Sequence, residues 1–420
     1  MSFQPCRCLQ SNRVGIQLGD SGEYLPVKTD IEELSVLSPS STCNVCSSVM
    51  ANIDYELDPQ QYRLLKAIGQ AYDGTATVYL AKYLPSQCFV AVSRTNLDAV
   101  HEGFSVLQHE FYLMRLMQHE NILAFNQAFT TDNELWVVMP LMDLGSAREI
   151  LDNTFPDGMP ETAIAYIIRD LLLALDYIHR MGYVHRSVNA SHILLSKTGK
   201  VTLAGLRTAV SMVEDGKWLR AVHNFPTQAV KTLPWLAPEV LEQNLLGYDT
   251  KSDIYSVGIT ACELANGCVP FCDMVPMKML LEKINGTTPK LLDSSTLLND
   301  SGQQGSAVDS GIGNSNVASG SKQSDQNPYT RLFSPQFHQF IEDCLKREPA
   351  DRPSASALLN HPFLKQVKKR TSEALVPFFQ SLTSLTEAPV EGEQEALQDH
   401  DDDLVKKFQC MDMGESWVFD

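Results

Sequence analysis

Apolar and polar residues alternate with a period of two along Tyr62-Arg-Leu-Leu-Lys-Ala-Ile68, which predicts the first strand of the folded chain. Thr77–Ala81 and Cys88–Val92 predict two more, joined by the turn-like Leu84-Pro85-Ser86-Gln87. Around Phe104–Met117 the spacing lengthens, so that Leu107, Phe111 and Met114 share one face of a helix. Leu135-Trp-Val-Val-Met139 has the unbroken apolar run of a buried strand. Beyond it the pattern turns helical. Pro160-Glu161 opens a helix with Ile164, Ile167, Ile168, Leu171, Leu172, Leu175 and Ile178 at helical spacing, and Gly182 stops it. Ser252–Leu264 is apolar almost all round, which predicts a helix buried on every side.

Three stretches lack periodicity. Residues 1–57 are polar and Ser- and Cys-bearing, and predict a disordered extension. Residues 293–328 are a Ser/Gly/Asn/Asp-rich low-complexity insertion, with order returning at Phe333. Residues 366–420 predict a flexible tail that starts beside a basic cluster (Lys365, Lys368, Lys369, Arg370) and becomes acidic. The chain has 420 residues and 44% hydrophobic content, enough for one large domain or two to three small ones. Net charge is −18, and from Glu387 to Asp420 eleven acids face two lysines, so half the excess lies in the tail. That balance argues against nucleic-acid and membrane partners. No apolar run approaches the roughly 18 residues of a membrane helix, and the N-terminus lacks an apolar signal core. A cytoplasmic and nuclear protein is expected. Cys88, Cys262, Cys268, Cys272 and Cys344 sit among apolar residues and are expected to be buried thiols. Cys6-x-Cys8 and Cys43-x-x-Cys46 admit a zinc reading, but the tight first pair and the Ser-rich surroundings favour an unstructured leader.

The chemistry-bearing stretch is Tyr183-Val-His-Arg-Ser-Val-Asn-Ala-Ser-His-Ile-Leu-Leu195, followed by Val201-Thr-Leu-Ala-Gly-Leu-Arg207. It resembles the catalytic and metal-binding loops of protein kinases, His-Arg-Asp-Leu-Lys-x-x-Asn and Asp-Phe-Gly. His185, Arg186 and Ile193–Leu195 match. Ser187 stands at the catalytic Asp position, Asn189 at the Lys, His192 at the metal-binding Asn and Gly205 at the metal-binding Asp. Trp235-Leu-Ala-Pro-Glu239, Asp253-Ile-Tyr-Ser-Val-Gly258, Gly267-x-x-Pro270-Phe271, Pro349-Ala-Asp-Arg-Pro353 and His361-Pro-Phe363 extend the resemblance in register from about Tyr62 to Leu364. It implies an α+β, bilobal fold over 58–365, with a β-rich small lobe at about 58–142 and a helical lobe at about 143–365. It also implies a buried ion pair between Glu239 and Arg352.

At the nucleotide end the pattern is eroded. The glycine loop reads Ile68-Gly-Gln-Ala-Tyr-Asp-Gly-Thr-Ala-Thr-Val78, two residues too long for the kinase pattern, with Gly69 and Gly74 only, and Asp73 would repel phosphate if it points inward. The Val-Ala-Ile-Lys strand is Val90-Ala-Val-Ser93, so Ser93 replaces the phosphate-binding lysine. Arg94 is no simple substitute, because neighbouring strand residues face opposite sides, so it should point away unless a bulge turns it. Glu110 matches the helix glutamate that pairs with that lysine. Phosphoryl transfer needs positioned metals and a base; without them a deficit of about 10⁴-fold or more is expected. The chain therefore reads as a non-enzyme that holds no metal. A kinase-like cleft would place Ile68, Gly69, Gly74, Ala76, Val78, Ala91, Ser93, Met139, Leu141 and Arg207 around a nucleotide. Arg207 could neutralise phosphates, giving metal-free ATP as a structural ligand. The opposing reading is an empty cleft with Arg207 bonded to Glu110.

More narrowly, His185–Leu194, Gly205-Leu-Arg207, Pro234–Val240 and Lys251–Ala265 resemble the STRAD adaptor pseudokinases, relatives of the sterile-20 kinases, and Val308-Asp-Ser-Gly-Ile-Gly313 leans toward the beta form. The resemblance implies an adaptor that binds a serine/threonine tumour-suppressor kinase of the liver-kinase-B type as a pseudosubstrate. That binding activates the partner with help from a helical-repeat scaffold protein. In that family a C-terminal Trp-Glu-Phe grips the scaffold; here Trp417 and Phe419 match and Val418 replaces the glutamate. The client is expected on the segment from Gly205 to Glu239, which includes Trp218, Arg220, Phe225 and Leu233, with core packing as the alternative for Phe225 and Leu233. Alternatives are a passive localising scaffold and a very weak metal-independent kinase.

Overall fold

The computed structural model describes residues 54–71, 74–99, 104–226, 229–243, 245–296, 330–367 and 372–387. Its small lobe is a five-stranded antiparallel sheet of order β1-β2-β3-β5-β4. The strands are β1 (Tyr62–Ala71), β2 (Ala76–Tyr83), β3 (Phe89–Asn96), β4 (Gln127–Thr131) and β5 (Glu134–Pro140), and helix α1 (Phe104–Leu116) packs beneath them. Periodicity alone missed β4. It is a short edge strand pairing only with β5, and its apolar content is Ala128 and Phe129.

The period of two sorts side chains between two cores. Val90, Val92, Trp136 and Val138 face outward with Tyr62, Tyr83 and Phe129. Leu135, Val137 and Ala128 face inward, join Leu107, Phe111 and Met114 of α1, and continue into the main core of the helical lobe. The lobes are also stitched by backbone: Leu123 N–H donates to Leu203 O at 2.9 Å and Leu203 N–H to Asn121 O at 2.8 Å.

In the helical lobe α2 (Ala147–Thr154) precedes α3 (Glu161–Arg180), whose predicted apolar stripe is buried throughout. The central helix Lys251–Asn266 is buried at every position from Ser252 to Ala265 and stops at the left-handed Gly267 (φ +79°). Glu239 and Arg352 form a two-pronged ion pair at 2.6 and 2.9 Å, with the Arg352 side chain wholly enclosed. Three carbonyls, of Lys346, Arg347 and Lys251, accept the remaining guanidinium protons.

Three expectations need correction. The tail read as flexible from 366 is folded over Ser372–Glu387: Leu375 and Phe379 are buried, and Leu385 N–H donates to Asp143 O at 2.9 Å. Its apolar residues Leu375, Phe378, Phe379 and Leu382 are too few for a periodic signal, yet they pack in and against the core of the lobe. The insertion begins later than 293. Asp293 is fully buried and accepts from Phe333 N–H at 3.1 Å and bonds His338 at 2.9 Å, clamping both ends of the excursion. Those bonds, with Ser295 and Thr296, hold its carboxyl down at about 2 against the cost of burial. Finally, Cys262 and Cys344 are buried as expected, but Cys268 and Cys272 are exposed and Cys88 half-buried. An apolar neighbourhood in sequence does not bury a residue that lies in a surface turn.

Candidate interlobe site and partner face

The loop between β6 (Tyr183–Val184) and β7 (Ile193–Leu195) is hung from one buried carboxylate. Asp253, on the central helix, accepts from His185 N–H and Arg186 N–H, each at 2.8 Å, and pairs with His179 at 2.8 Å. Those partners hold Asp253 below the usual carboxylate range although burial pushes the other way. Arg186 is consequently left-handed, φ +66°. His185 is fully buried. Its Nε2 donates to Ala204 O at 3.1 Å and its Nδ1 accepts from Ser187 N–H at 3.3 Å, an assignment made from the bonding pattern. Burial depresses its pKa to about 4.

The positions that serve phosphoryl transfer in kinases carry no acid. Ser187 is buried, with Oγ 3.1 Å from His192 Nδ1. His192 Nδ1 lies 2.7 Å from the Ser187 carbonyl, which makes it the protonated ring nitrogen. Asn189 caps the short turn Ala190–His192, accepting from His192 N–H at 3.0 Å. Gly205 has φ +84°, and a Cβ built on it would stand 2.7 Å from His192 Nδ1. The imidazole fills the space a side chain at 205 would need. Burial, and secondarily the Arg207 charge, lowers the pKa of His192, so the ring is neutral. Among the described residues no three His, Cys, Asp or Glu side chains are grouped to hold a metal ion.

The roof of the cleft is the inner face of the sheet. Val78 pairs with Ser93, and Ala91 with Met139, so these four share one face. Ser93 and Ala91 are each 7% exposed, Met139 and Leu141 half-buried. Gly69 pairs with Val78 and a Cβ there would meet nothing within 4 Å; Ile68 lies at the register shift beside it. Gly74 is left-handed at φ +89°. Ala76 is fully buried between Ala71 and Thr95 and offers a ligand no surface. Asp73 lies outside the described residues. Arg94 turns to the opposite face, forks onto Glu134 at 2.6 and 2.9 Å, and lies over the Tyr79 and Trp136 rings. Below the roof, α1 is docked to the segment after Gly205 through His109 Nε2 and Ala209 O at 2.9 Å. Glu110 beside it, and Arg207 in the turn Leu206–Thr208, are half-buried.

Arg186 organises the face on which the sequence reading expects a client. It donates to Thr208 O, to Asn224 O and Oδ1 at 3.0 and 2.8 Å, and to Tyr248 Oη at 3.0 Å. All are neutral acceptors. Between them, Val213–Glu214 and Lys217–Trp218 form a hairpin whose turn residues Asp215 and Gly216 both have positive φ. Trp218 is 61% exposed and Arg220 exposed; its ring edge packs over Gly182, where a Cβ would lie 3.3 Å away. Phe225 and Val230 are exposed as well, whereas Leu233 belongs to the core. Trp417 and Phe419 lie outside the described residues.

Sheet, hinge, suspended loop and buried central helix together define a protein-kinase-like domain, and the protein kinase domain family matches residues 62–364. STE20-related kinase adapter protein alpha from Bos taurus is 52% identical over 347 residues, covering 81% of this chain and 92% of the relative. The Gallus gallus alpha protein is 52% identical, covering 78% and 87%. The beta protein of Mus musculus is 40% identical over 386 residues, covering 90% and 91%. The chain belongs to the STE20-related kinase adapter family of protein-kinase-like proteins. The lean toward beta is overturned: the insertion motif was too short to outweigh the difference in identity across the whole domain.

Proposed function

We propose that this chain is a catalytically silent adaptor that binds and allosterically activates a serine/threonine kinase of the liver-kinase-B type, as a pseudosubstrate. The supporting relatives are named kinase adapters. The observation that carries the reading is Arg186. In kinases switched by phosphorylation, such a segment is ordered through arginine–phosphate pairs. Here Asn224, Tyr248 and the Thr208 carbonyl take that role, so the face bearing Trp218 and Arg220 is shaped without a phosphate. Beneath it, Ser93, Ser187, His192 and Gly205 supply no lysine, base or metal ligand. An adaptor of this kind activates by binding the client's active form better than its inactive one. Trp417 and Phe419 would anchor a helical-repeat scaffold protein. ATP without metal is the proposed cleft ligand: Gly69 leaves backbone open to phosphate, Ala91 and Met139 suit an adenine, and Arg207 would balance charge.

The test uses purified client, scaffold and full-length chain. W218A/R220E should lower client activation roughly tenfold, the loss of about 1.4 kcal/mol of binding. Undiminished activation by that variant, or phosphate transfer by the chain alone, would overturn the proposal.

A further inference from the structure

The helix Pro276–Asn285 turns the usual placement of its residue types inside out. Met279 and Lys283, four residues apart, are its buried residues, whereas Met277 and Leu281 stand exposed on the other side. Lys283 is 1% exposed. Its Nζ donates to the Pro234 carbonyl and lies 4.9 Å from the centre of the Tyr255 ring, which also takes the Arg352 guanidinium at 5.0 Å.

Among the described residues no carboxylate pairs with this ammonium. Glu239, on the neighbouring short helix Pro238–Glu242, is committed to Arg352 at 2.6 and 2.9 Å and to Ser252 at 2.8 Å. Glu242 pairs with Arg347 at 2.9 Å, and Glu282 accepts from Thr287 Oγ1 at 2.6 Å. We propose that Lys283 is a proton-sensitive positioning residue: as an ammonium it grips the Pro234 carbonyl and the Tyr255 ring, and as a neutral amine it lets segment 229–236 loosen. A neutral amine is the weaker donor and has no cation–π attraction. Burial favours that neutral form and outweighs the charge of Glu239, so the Lys283 pKa falls to about 7.

The carbonyl it grips lies within the segment on which a client is expected. Pro234 follows Leu233 of the core and precedes Trp235, whose N–H, with that of Leu236, donates to Thr232 O at 3.0 and 3.2 Å. The tie stands by itself. Only its consequence for a client, weaker binding as pH rises through neutrality, rests on the proposed function.

The folded pKa of about 7 lies below the ordinary 10.5, so across that window the unfolded chain holds a proton that the folded chain gives up. The stability owed to this group therefore rises with pH from about 7 upward, even as the local tie weakens. The experiment measures urea midpoints of the full-length wild type and K283M, a substitution that keeps an unbranched apolar stem, from pH 7 to 9.5. The wild-type midpoint should rise steadily relative to that of K283M. Cys262 and Cys344, whose thiols burial pushes up, act the other way in both proteins and cancel in the difference. Amide exchange over 229–236, corrected for the intrinsic rate, should be about threefold faster at pH 9 than at pH 6.5 in the wild type and independent of pH in K283M. The wild-type exchange needs no variant, and neither readout involves a client. A midpoint difference that stays constant with pH, or wild-type exchange over 229–236 that does not change with pH, would overturn the proposal.

Discussion

The imidazole of His192 lies over Gly205 so closely that a Cβ at 205 would approach Nδ1 to 2.7 Å. The two replacements are therefore one structural event: the residue that gained a ring and the residue that lost its side chain exchange volume. G205D should lower stability by about 1–3 kcal/mol, since it adds a side chain at φ +84° and displaces the ring. H192N should recover part of that loss in the double variant. Urea denaturation of the three variants checks this; additive losses would contradict it. Neither S187D nor S187D/G205D should transfer phosphate, because Ser93 still supplies no lysine.

The kinase resemblance implies a Glu239–Arg352 pair, and the structure gives it two prongs with the Arg352 side chain wholly enclosed. R352A should cost about 3–5 kcal/mol, because it leaves a buried carboxylate without its partner. R352K should also lose stability, since an ammonium cannot fill the fork. Denaturant midpoints at fixed slope are the measurement.

His185 sets a pH dependence. Its folded pKa of about 4 lies below the ordinary 6.5, so the unfolded chain takes up the proton first. Its contribution to stability is complete above about pH 6.5 and is lost progressively as pH falls toward 4. The total is about 3 kcal/mol. Protonation would also aim a second N–H at the Ser187 amide. Melts from pH 7 to 4 should show the fall, and H185Q, though weaker throughout, should flatten it.

R186A removes the tie among Thr208, Asn224 and Tyr248. Amide exchange should accelerate across 206–226 while the central helix stays protected. An unchanged exchange pattern would show that the hairpin holds this face by itself.

W417A/F419A should weaken scaffold capture by the full chain and leave client binding in the absence of scaffold unchanged. Pull-downs with each partner separately distinguish the two. Equal capture of the scaffold would remove the aromatic anchor.

The lobes were legible because their signals are local and repetitive. The stripe on Glu161–Arg180 and the all-round burial of Ser252–Ala265 are properties of single segments. Glu239 and Arg352 were legible as a pair only through what the kinase resemblance implies. What sequence hid were meetings between distant or irregular stretches. Ser372–Glu387 covers the helical lobe through a few apolar residues with no period. The position of Cys268 and Cys272 depends on a turn set by Gly267 and Phe271, which hydropathy cannot see. The exchange of volume between His192 and Gly205 needed coordinates, since each substitution alone reads only as a loss.

One core runs from Leu107 and Val137 in the sheet lobe to Phe363 and Phe379 at the far end, without a break at the hinge. Phosphoryl-transfer enzymes are often paced by how quickly their lobes part to let product escape, and that demands a soft joint. If the chain releases no product, as proposed, it has no need of that soft joint, and the seam through Ile122, Leu203 and Leu206 is where the two lobes would be held together.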